Sequence, residues 1–188
     1  MGYAQTESKI TAEQYLAHES LSEERHEYYD GLVYAMTGGT SAHNTLALNL
    51  HRALYPHLKG SSCRAYVNDM RLQVATANCY FYPDLVITCE PVQAKTTTLE
   101  SAKVIAEVLS PSTSSYDLGK KFAIYRQLDS LQEYVLIDGE SRYVQVYRRT
   151  DNGEWIFKGY TPEETLHLAS IDFSVTLADL YDDTGIEA

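Results

Sequence analysis

Hydrophobic positions along this chain follow two spacings, and together they predict a mixed α/β fold. Leucines recur at every fourth position from Leu46 to Leu58, which is the spacing of a buried helix face. Short apolar runs between turn residues instead predict β-strands. The predicted strands are 63–67, 71–75, 80–88, 103–109, 132–137, 143–148 and 155–160, with an edge strand at 165–169.

Capping and turn residues set the limits of the first elements. Thr11 and Gln14 have the form of a capping box, which predicts a short helix to about residue 18. The Asp30-Gly31 pair between two apolar runs predicts a β-hairpin. Ser41 is the expected cap of the long leucine-bearing helix, and Lys59-Gly60 is its expected end.

Two more helices are predicted in the second half of the chain. The segment 112–115 offers caps for a helix that carries Lys121 and Tyr125, and 176–181 has the pattern of a closing helix. Helix, hairpin, long helix, strands, helix and strands follow one another. This order predicts one α/β domain over residues 1–188, with its core at about 11–181 and helices flanking a central mixed sheet.

Composition and charge limit the classes of function. No apolar run approaches the roughly 18 residues of a membrane span, and the N-terminus lacks the basic and apolar pattern of a signal peptide. We therefore expect a cytoplasmic protein with no membrane contact. The net charge of −11, from 15 basic and 26 acidic residues, disfavours non-specific coating of nucleic acid, unless metal ions or local basic clusters offset the acids.

Several common sites have no support in the sequence. Cys63, Cys79 and Cys89 are odd in number and lack CxxC spacing, so we expect reduced thiols rather than a disulfide framework or a zinc site. The phosphate-binding pattern GxxxxGK[ST], the dinucleotide pattern GxGxxG and the zinc-protease pattern HExxH do not occur. We expect no nucleotide cofactor.

Two acidic residues stand in apolar strands, where chemistry rather than packing is the better explanation. Asp84 follows Pro83 and opens one apolar strand, and Glu107 interrupts another at 104–109. A lone carboxylate in a strand buried on both faces is costly unless something pairs with it. Two such acids with Lys121 can hold a divalent cation over a phosphodiester. This pattern predicts a metal-dependent nuclease.

The two acids also have structural explanations. Asp84 can simply be a turn residue. Glu107 can pair with Lys103 or Lys121 at a strand edge. In the functional interpretation both acids bind one or two Mg²⁺ ions, and the backbone carbonyl of Val108 is a candidate further ligand.

The lysines of the next helix leave a similar choice. From early in this helix, the flexible side chain of Lys121 can bring an ammonium to the acids. Lys120 competes for that role. Asp117 lies four residues before Lys121, so a simple ion pair on a solvated helix face is the alternative.

Three more side chains are candidates for supporting roles. Glu27 can complete the acidic cluster or stand at the surface of a half-buried strand. Gln73 can assist if its strand runs beside that of Asp84. His43, at the start of the long helix, is a candidate phosphate contact or proton shuttle, or else a helix-start residue bonded locally.

Together these residues resemble the Uma-two family of restriction endonucleases, within the PD-(D/E)XK nuclease superfamily. The matching segments are 27–31 with Met36, His43, 82–86, 106–113, 117–122 with Tyr125, and 133–138. The resemblance implies a restriction-endonuclease-like core with an N-terminal helix and hairpin. It places Asp84 and Glu107 at the two acidic positions and Glu27 at a third acid beside the metal. Leu109 occupies the usual lysine position, and Lys121 on the following helix takes its place.

The resemblance also implies an activity. It implies an endonuclease that hydrolyses phosphodiester bonds in DNA by in-line attack of metal-activated water, with Mg²⁺ as cofactor and Mn²⁺ as a substitute. A homodimer is expected, since such nucleases often cut two strands with two sites. The rivals are a non-catalytic nucleic-acid- or protein-binding module on a degenerate nuclease fold, favoured by Leu109 and the acidic balance, and a structural dimer whose acidic pocket merely holds a cation.

Overall fold

The computed structural model describes residues 9–36, 38–111 and 114–187. Their strands form a six-stranded sheet, a five-stranded sheet and a two-stranded ribbon. In chain order the strands are β1 (His26–Tyr29), β2 (Leu32–Ala35), β3 (Arg64–Val67), β4 (Arg71–Val74), β5 (Cys79–Phe81), β6 (Leu85–Thr88), β7 (Thr98–Leu99), β8 (Val104–Leu109), β9 (Glu133–Asp138), β10 (Val144–Arg149), β11 (Trp155–Tyr160), β12 (Thr165–Leu168) and β13 (Phe173–Thr176).

Helices lie before, between and after these strands. They are α1 (Ala12–Glu19), α2 (Ser41–Leu58), α3 (Ser114–Tyr116), α4 (Phe122–Tyr125) and α5 (Leu177–Leu180), with 3₁₀ turns at Ala75–Ala77 and Ala169–Ile171. The segment Asp117–Lys121, which joins α3 to α4, is a π-helical turn. This turn places two charged side chains of the candidate site.

The six-stranded sheet runs in the order β11-β10-β9-β8-β6-β3 and is mixed, because β8 and β9 pair in parallel and the other neighbours are antiparallel. The leucines of α2 pack on one face of this sheet together with α5 and the β12–β13 ribbon. The other face packs against α4 and the five-stranded sheet, ordered β2-β1-β5-β4-β7. Every residue of β6 and β8 is therefore buried, which explains their continuous apolar sequences.

The capping box and the hairpin predicted from the first residues are confirmed, and the long helix has the predicted extent but a different cap. The side chain of Thr11 accepts a hydrogen bond from the Gln14 backbone, which completes the predicted capping box of α1. The hairpin of β1 and β2 turns at Asp30 and Gly31, which have φ values of 41° and 98°, as a tight hairpin turn requires. The long helix spans the predicted residues, but its N-cap is Thr40 rather than Ser41.

The prediction of a single strand over 80–88 is wrong. The chain forms β5 in the five-stranded sheet, crosses at Tyr82–Asp84, and continues as β6 in the six-stranded sheet. Pro83 lacks the amide hydrogen that a ladder needs, so a strand is broken there. The expected edge strand at 165–169 instead pairs with β13, a strand that was not predicted. The proposed helix caps at 112–113 lie outside the described residues.

The expectation of three reduced thiols is wrong for two of them. Cys63 and Cys89 form a disulfide. They flank the paired residues Arg64 and Thr88 of the antiparallel strands β3 and β6, so they face each other across the sheet edge. Sequence spacing could not show this, because the bond depends on strand register. Cys79 is a free thiol and fully buried.

Among the described residues, no helix has both the length and the apolarity that a bilayer crossing requires.

Candidate active site

Asp84 lies at the crossing between the two sheets, where strand pairing brings it next to Glu107. Leu85 pairs with Ala106, so the residues on either side of this pair are also neighbours. The Asp84 amide donates to Glu107 Oε2 at 3.3 Å, and the Val108 amide donates to Asp84 Oδ2 at 2.7 Å. The backbone of β8 therefore fixes the orientation of the Asp84 carboxylate.

Glu107 is buried and has two further partners on the helical side. Its Oε1 accepts a hydrogen bond from the Tyr125 hydroxyl at 2.9 Å and lies 2.9 Å from Lys121 Nζ. Lys121 is the last residue of the π-helical turn, and Tyr125 lies on α4, which follows that turn. The Oε1 atom is thus occupied by protein donors, which leaves Oε2 as the oxygen nearer to Asp84.

The π-helical turn explains how Asp117 and Lys121 come to face the same cavity. Both side chains are buried, and Lys121 Nζ lies 3.7 Å from Asp117 Oδ1. Single π-helical turns inside α-helices are frequent at functional sites. The ion pair predicted as the structural alternative for these residues does form, but it forms inside the cluster of acids and not on a solvated face.

Glu27 brings the five-stranded sheet into the site. It lies on β1, and its Oε1 is 3.1 Å from Lys121 Nζ and accepts a hydrogen bond from the Tyr82 amide at 3.4 Å. It is 8% exposed, so it is not the surface residue of the alternative interpretation. One lysine therefore contacts acids from both sheets.

His43 connects the long helix to the same cluster. Its Nε2 lies 2.9 Å from Asp84 Oδ1, while its backbone amide donates to the N-cap Thr40. The hydrogen bond to Asp84 raises the pKa of His43 above 6.5, although partial burial acts in the opposite direction. Both oxygens of Asp84 are thus held by fixed donors, one by His43 and one by Val108.

The pKa of Glu107 is raised chiefly because its carboxylate is buried. Burial raises this pKa from 4.5 to about 8, against the lowering effect of Lys121 and with a further raising effect from Asp84 and Asp117. Burial lowers the pKa of Lys121, but Glu107, Glu27 and Asp117 more than offset this, so it lies well above 10.5. Lys121 is therefore a permanent cation.

An open cavity of about 460 Å³ lies over these groups. Its charged lining comes from Glu27, His43, Asp84, Glu107, Asp117, Lys121 and Glu140. Tyr34, Tyr82 and Tyr116 add aromatic walls, and Gly38 and Gly39 form part of the rim. The cavity is large enough to admit a phosphate group with parts of its neighbouring sugars.

Two residues named from the sequence lie apart from this cavity. Gln73 is on β4, which pairs with β5 and β7 in the five-stranded sheet, so its strand does not run beside β6 as its supporting role required. Lys120 is exposed, and its Nζ lies 3.9 Å from the centre of the Tyr29 ring. Neither residue lines the cavity.

Tyr125 is the contact that the sequence analysis did not assign. It matched the family pattern only as a flanking residue, yet its hydroxyl holds Glu107. Its position four residues after Lys121 is the signal that could have found it, since residues at this spacing lie on one helix face. Tyr82 lies in a segment that matches the family pattern, but no sequence signal marks Glu140 as a cavity residue.

The donor set fits a divalent cation with oxygen ligands. Asp84 and Glu107 offer carboxylate oxygens from neighbouring strand positions, joined by the hydrogen bond from the Asp84 amide to Glu107 Oε2, and carboxylate oxygens are the ligands that Mg²⁺ and Mn²⁺ prefer. The carbonyl of Val108 belongs to the same strand edge as its amide, which faces Asp84. A cation bound beside Glu107 would also favour its ionised form, whose pKa is raised by burial first and by Asp84 and Asp117 second.

Comparisons with known proteins identify the family of the chain and its fold. The family model Uma2, described as "Putative restriction endonuclease", matches residues 12–178. The chain is 35% identical over 174 residues to the protein slr1290 of Synechocystis sp. (strain ATCC 27184 / PCC 6803 / Kazusa), covering 92% of each chain. It is 33% identical over 168 residues to sll1609 of the same organism, covering 88% of this chain and 93% of the relative.

A solved structure shares the fold. It comes from Anabaena variabilis ATCC 29413 and is described as "a putative nuclease belonging to DUF820". The TM-score is 0.75 at 19% sequence identity, and the match covers 92% of this chain and 97% of the other. The mixed α/β architecture with central sheets flanked by helices is therefore found in a crystal structure as well.

Proposed function

Because the chain belongs to the Uma2 family of restriction-endonuclease-like nucleases, we propose that it is a metal-dependent endonuclease that hydrolyses phosphodiester bonds in DNA. The observation that carries this proposal is a cluster of four carboxylates beneath an open cavity, three of which pair with the buried Lys121 while Asp84 pairs with His43. The carboxylates belong to Glu27, Asp84, Glu107 and Asp117. Such a cluster is costly to bury, and cation binding would offset that cost.

Asp84 and Glu107 would hold the cation, Mg²⁺ or Mn²⁺, with the Val108 carbonyl as a further ligand. A divalent cation bound there would lower the pKa of the attacking water and stabilise the leaving oxygen. The protein's own part is orientation. His43 and the Val108 amide fix Asp84, while Lys121 and Tyr125 fix Glu107 through its Oε1 atom.

Lys121 has two functions in this proposal. Without substrate, it balances part of the acidic charge of the site. With substrate bound, it keeps a positive charge near the phosphate as negative charge develops there. Its burial and its very high pKa make it an electrostatic group and not a proton donor. Glu27 supports the lysine from the other sheet.

The test is cleavage of supercoiled plasmid in Mn²⁺, because manganese tolerates imperfect ligand geometry better than magnesium. The parent protein is compared with Asp84→Asn and with Asp69→Asn, which changes an exposed aspartate that pairs with Arg25 and lies outside the cavity. We expect nicking by the parent and by Asp69→Asn, and loss of nicking in Asp84→Asn.

The other outcomes separate the rival functions. DNA binding that salt weakens steeply, without any cleavage above the Asp84→Asn background, would favour a binding module on the same fold. Neither binding nor cleavage would leave a structural role. Equal nicking by all three proteins would indicate a contaminating nuclease.

The proposal extends to assembly and location. We propose one domain that works as a homodimer in the cytoplasm, with two sites that cut the two DNA strands. Light scattering after size exclusion would give the mass in solution. A dimer should convert plasmid to linear DNA by paired cuts, whereas a monomer should accumulate only nicked circles.

A further inference from the structure

A second group of metal-binding side chains lies outside the cavity, where α1 ends and β1 begins. His18, Glu19 and His26 each offer a ligand atom, and these atoms all lie within 4.8 Å of one another. None of the three lines the cavity described above. Glu19 and His26 are each 4% exposed, whereas His18 is exposed to solvent.

Protein donors fix one of the two carboxylate oxygens of Glu19. Its Oε1 accepts hydrogen bonds from the His26 amide at 2.9 Å and from the Tyr82 hydroxyl at 2.9 Å. Its Oε2 lies 3.0 Å from His26 Nδ1. Outer partners of this kind orient the ligands of metal sites, so the carboxylate already presents its second oxygen to the imidazoles.

The two imidazoles also meet at this point. The His18 and His26 rings have centroids 5.8 Å apart, at 71° to each other. In a tetrahedral zinc site with bonds of 2.0–2.2 Å, neighbouring ligand atoms are about 3.3–3.5 Å apart. Glu19 Oε2 and His26 Nδ1, 3.0 Å apart, are near that separation. The exposed side chain of His18 can move to bring its nitrogen to the same separation.

We propose that His18, Glu19 and His26 form a binding site for a transition-metal ion, with Zn²⁺ as the best match. Two imidazole nitrogens and one carboxylate oxygen suit zinc, whereas Mg²⁺ takes oxygen ligands. The fourth position faces solvent on the His18 side and is filled by water. Entry of the ion needs no opening of the core, because His18 lies at the surface.

The site would act as a clamp between the N-terminal helix and the rest of the molecule. Glu19 contacts the hydroxyl of Tyr82, and the amide of Tyr82 donates to Glu27 in the candidate active site. An ion bound to α1 and β1 would thereby restrain the strand that carries Glu27. The proposal does not depend on nuclease activity, because the ligands and the measurement are separate from cleavage.

The alternative is a buried His–Glu pair that joins α1 to β1 without a metal. In that case His26 and Glu19 matter and His18 does not. Substitution of His18 therefore separates the two, and because its side chain is exposed, the substitution removes no core packing. Circular dichroism of each variant confirms that the fold is retained.

The experiment uses the full chain with Asp84→Asn as the parent, so that the candidate active site contributes less metal binding. Zn²⁺ is titrated by calorimetry, and Co²⁺ is followed by its visible absorption in tetrahedral coordination. The same titrations are made with added His18→Ala, and with added His51→Ala as a control on α2 outside the group. Mg²⁺ in excess serves as a competitor.

We expect one Zn²⁺ per chain, resistant to Mg²⁺, in the parent and in the His51→Ala variant. In His18→Ala the affinity should fall by at least roughly a hundredfold, because loss of a direct ligand should cost no less than loss of an outer-shell partner, and the tetrahedral Co²⁺ spectrum should disappear. Zn²⁺ should raise the melting temperature of the parent and of the His51→Ala variant, which bind it, and not that of His18→Ala. No Zn²⁺ binding by the parent, or unchanged affinity in His18→Ala, would overturn the proposal.

Discussion

Lys121 Nζ lies 2.9 Å from Glu107 Oε1, although the lysine lies on a helical turn and the glutamate on the central strand β8. Leu109, two residues after Glu107 on the strand, packs instead into the core beneath α4. The ammonium thus approaches the acid from the helix. A lysine at this place keeps its charge next to Glu107 without a position on the strand.

Replacement of Lys121 should separate the roles of the two adjacent lysines. Lys121→Met leaves three buried acids without their cation, so we expect loss of plasmid nicking and destabilisation by about 3 kcal/mol. Lys120→Met should change neither property, because that side chain is exposed over Tyr29. Nicking and urea unfolding of both variants provide the check. Equal activity in the two variants would remove Lys121 from the mechanism.

His43 should matter through Asp84. His43→Ala removes the donor to Asp84 Oδ1, and a carboxylate that is less well oriented should lower the nicking rate roughly tenfold. His57→Ala is the control, since that histidine lies at the far end of α2 and contacts the Ile171 carbonyl. A His57 variant as impaired as the His43 variant would indicate a general effect on α2.

Tyr125 should contribute to activity beyond its contribution to stability. Tyr125→Phe removes one hydrogen bond to Glu107, and Tyr160→Phe removes one to the His167 carbonyl. Each change should destabilise the protein by about 1 kcal/mol. Only Tyr125→Phe should slow nicking, because only that hydroxyl orients a proposed metal ligand. A similar slowing in both would point to stability alone.

The free energy of unfolding should depend on pH through Glu107 in the metal-free protein. Its pKa rises from 4.5 to about 8 on folding, so the folded protein keeps a proton that the unfolded chain releases. The stability gained is complete below pH 4.5 and is lost as the pH rises to about 8. In a buffer with a metal chelator, the melting temperature should therefore fall as the pH rises across this window.

Glu107→Gln is the matched control for that pH dependence, since a glutamine cannot ionise. Its melting temperature should fall less steeply over the same window, whatever its value at a single pH. All other titrating groups are common to both proteins. Parallel curves would show that Glu107 does not carry the dependence.

Alkylation should report the disulfide of Cys63 and Cys89 directly. In denaturant without reductant only Cys79 should react, so the intact mass should show one adduct. After reduction all three cysteines should react. Three adducts before reduction would mean that the expectation of reduced thiols from the sequence holds for the purified protein.

The sequence was sufficient where one local signal decides the outcome. The capping box at Thr11, the Asp30-Gly31 hairpin and the leucine spacing of α2 all appear in the structure. Each depends on interactions within a few residues. The family pattern likewise pointed to Asp84, Glu107 and Lys121, which the structure brings together.

The sequence was insufficient where the outcome depends on which strands become neighbours. Residues 80–82 and 85–87 are apolar or aromatic on both sides of Pro83 and Asp84, so their pattern could not show that the chain moves from one sheet to the other there. Gln73 fell in the five-stranded sheet for the same reason. The contact of Tyr125 with Glu107 and the bond between Cys63 and Cys89 both depend on tertiary register, which no single segment encodes.

The crossing at Tyr82–Asp84 makes the candidate site the product of two separate layers. Glu27 comes from the five-stranded sheet, Glu107 from the six-stranded sheet, and Lys121 from a turn that follows both of these residues in the chain. A growing chain therefore has no complete cluster until Lys121 has left the ribosome and the strands that carry Glu27 and Glu107 have joined their sheets. If the protein cuts DNA, its own folding order delays that ability until the molecule is whole.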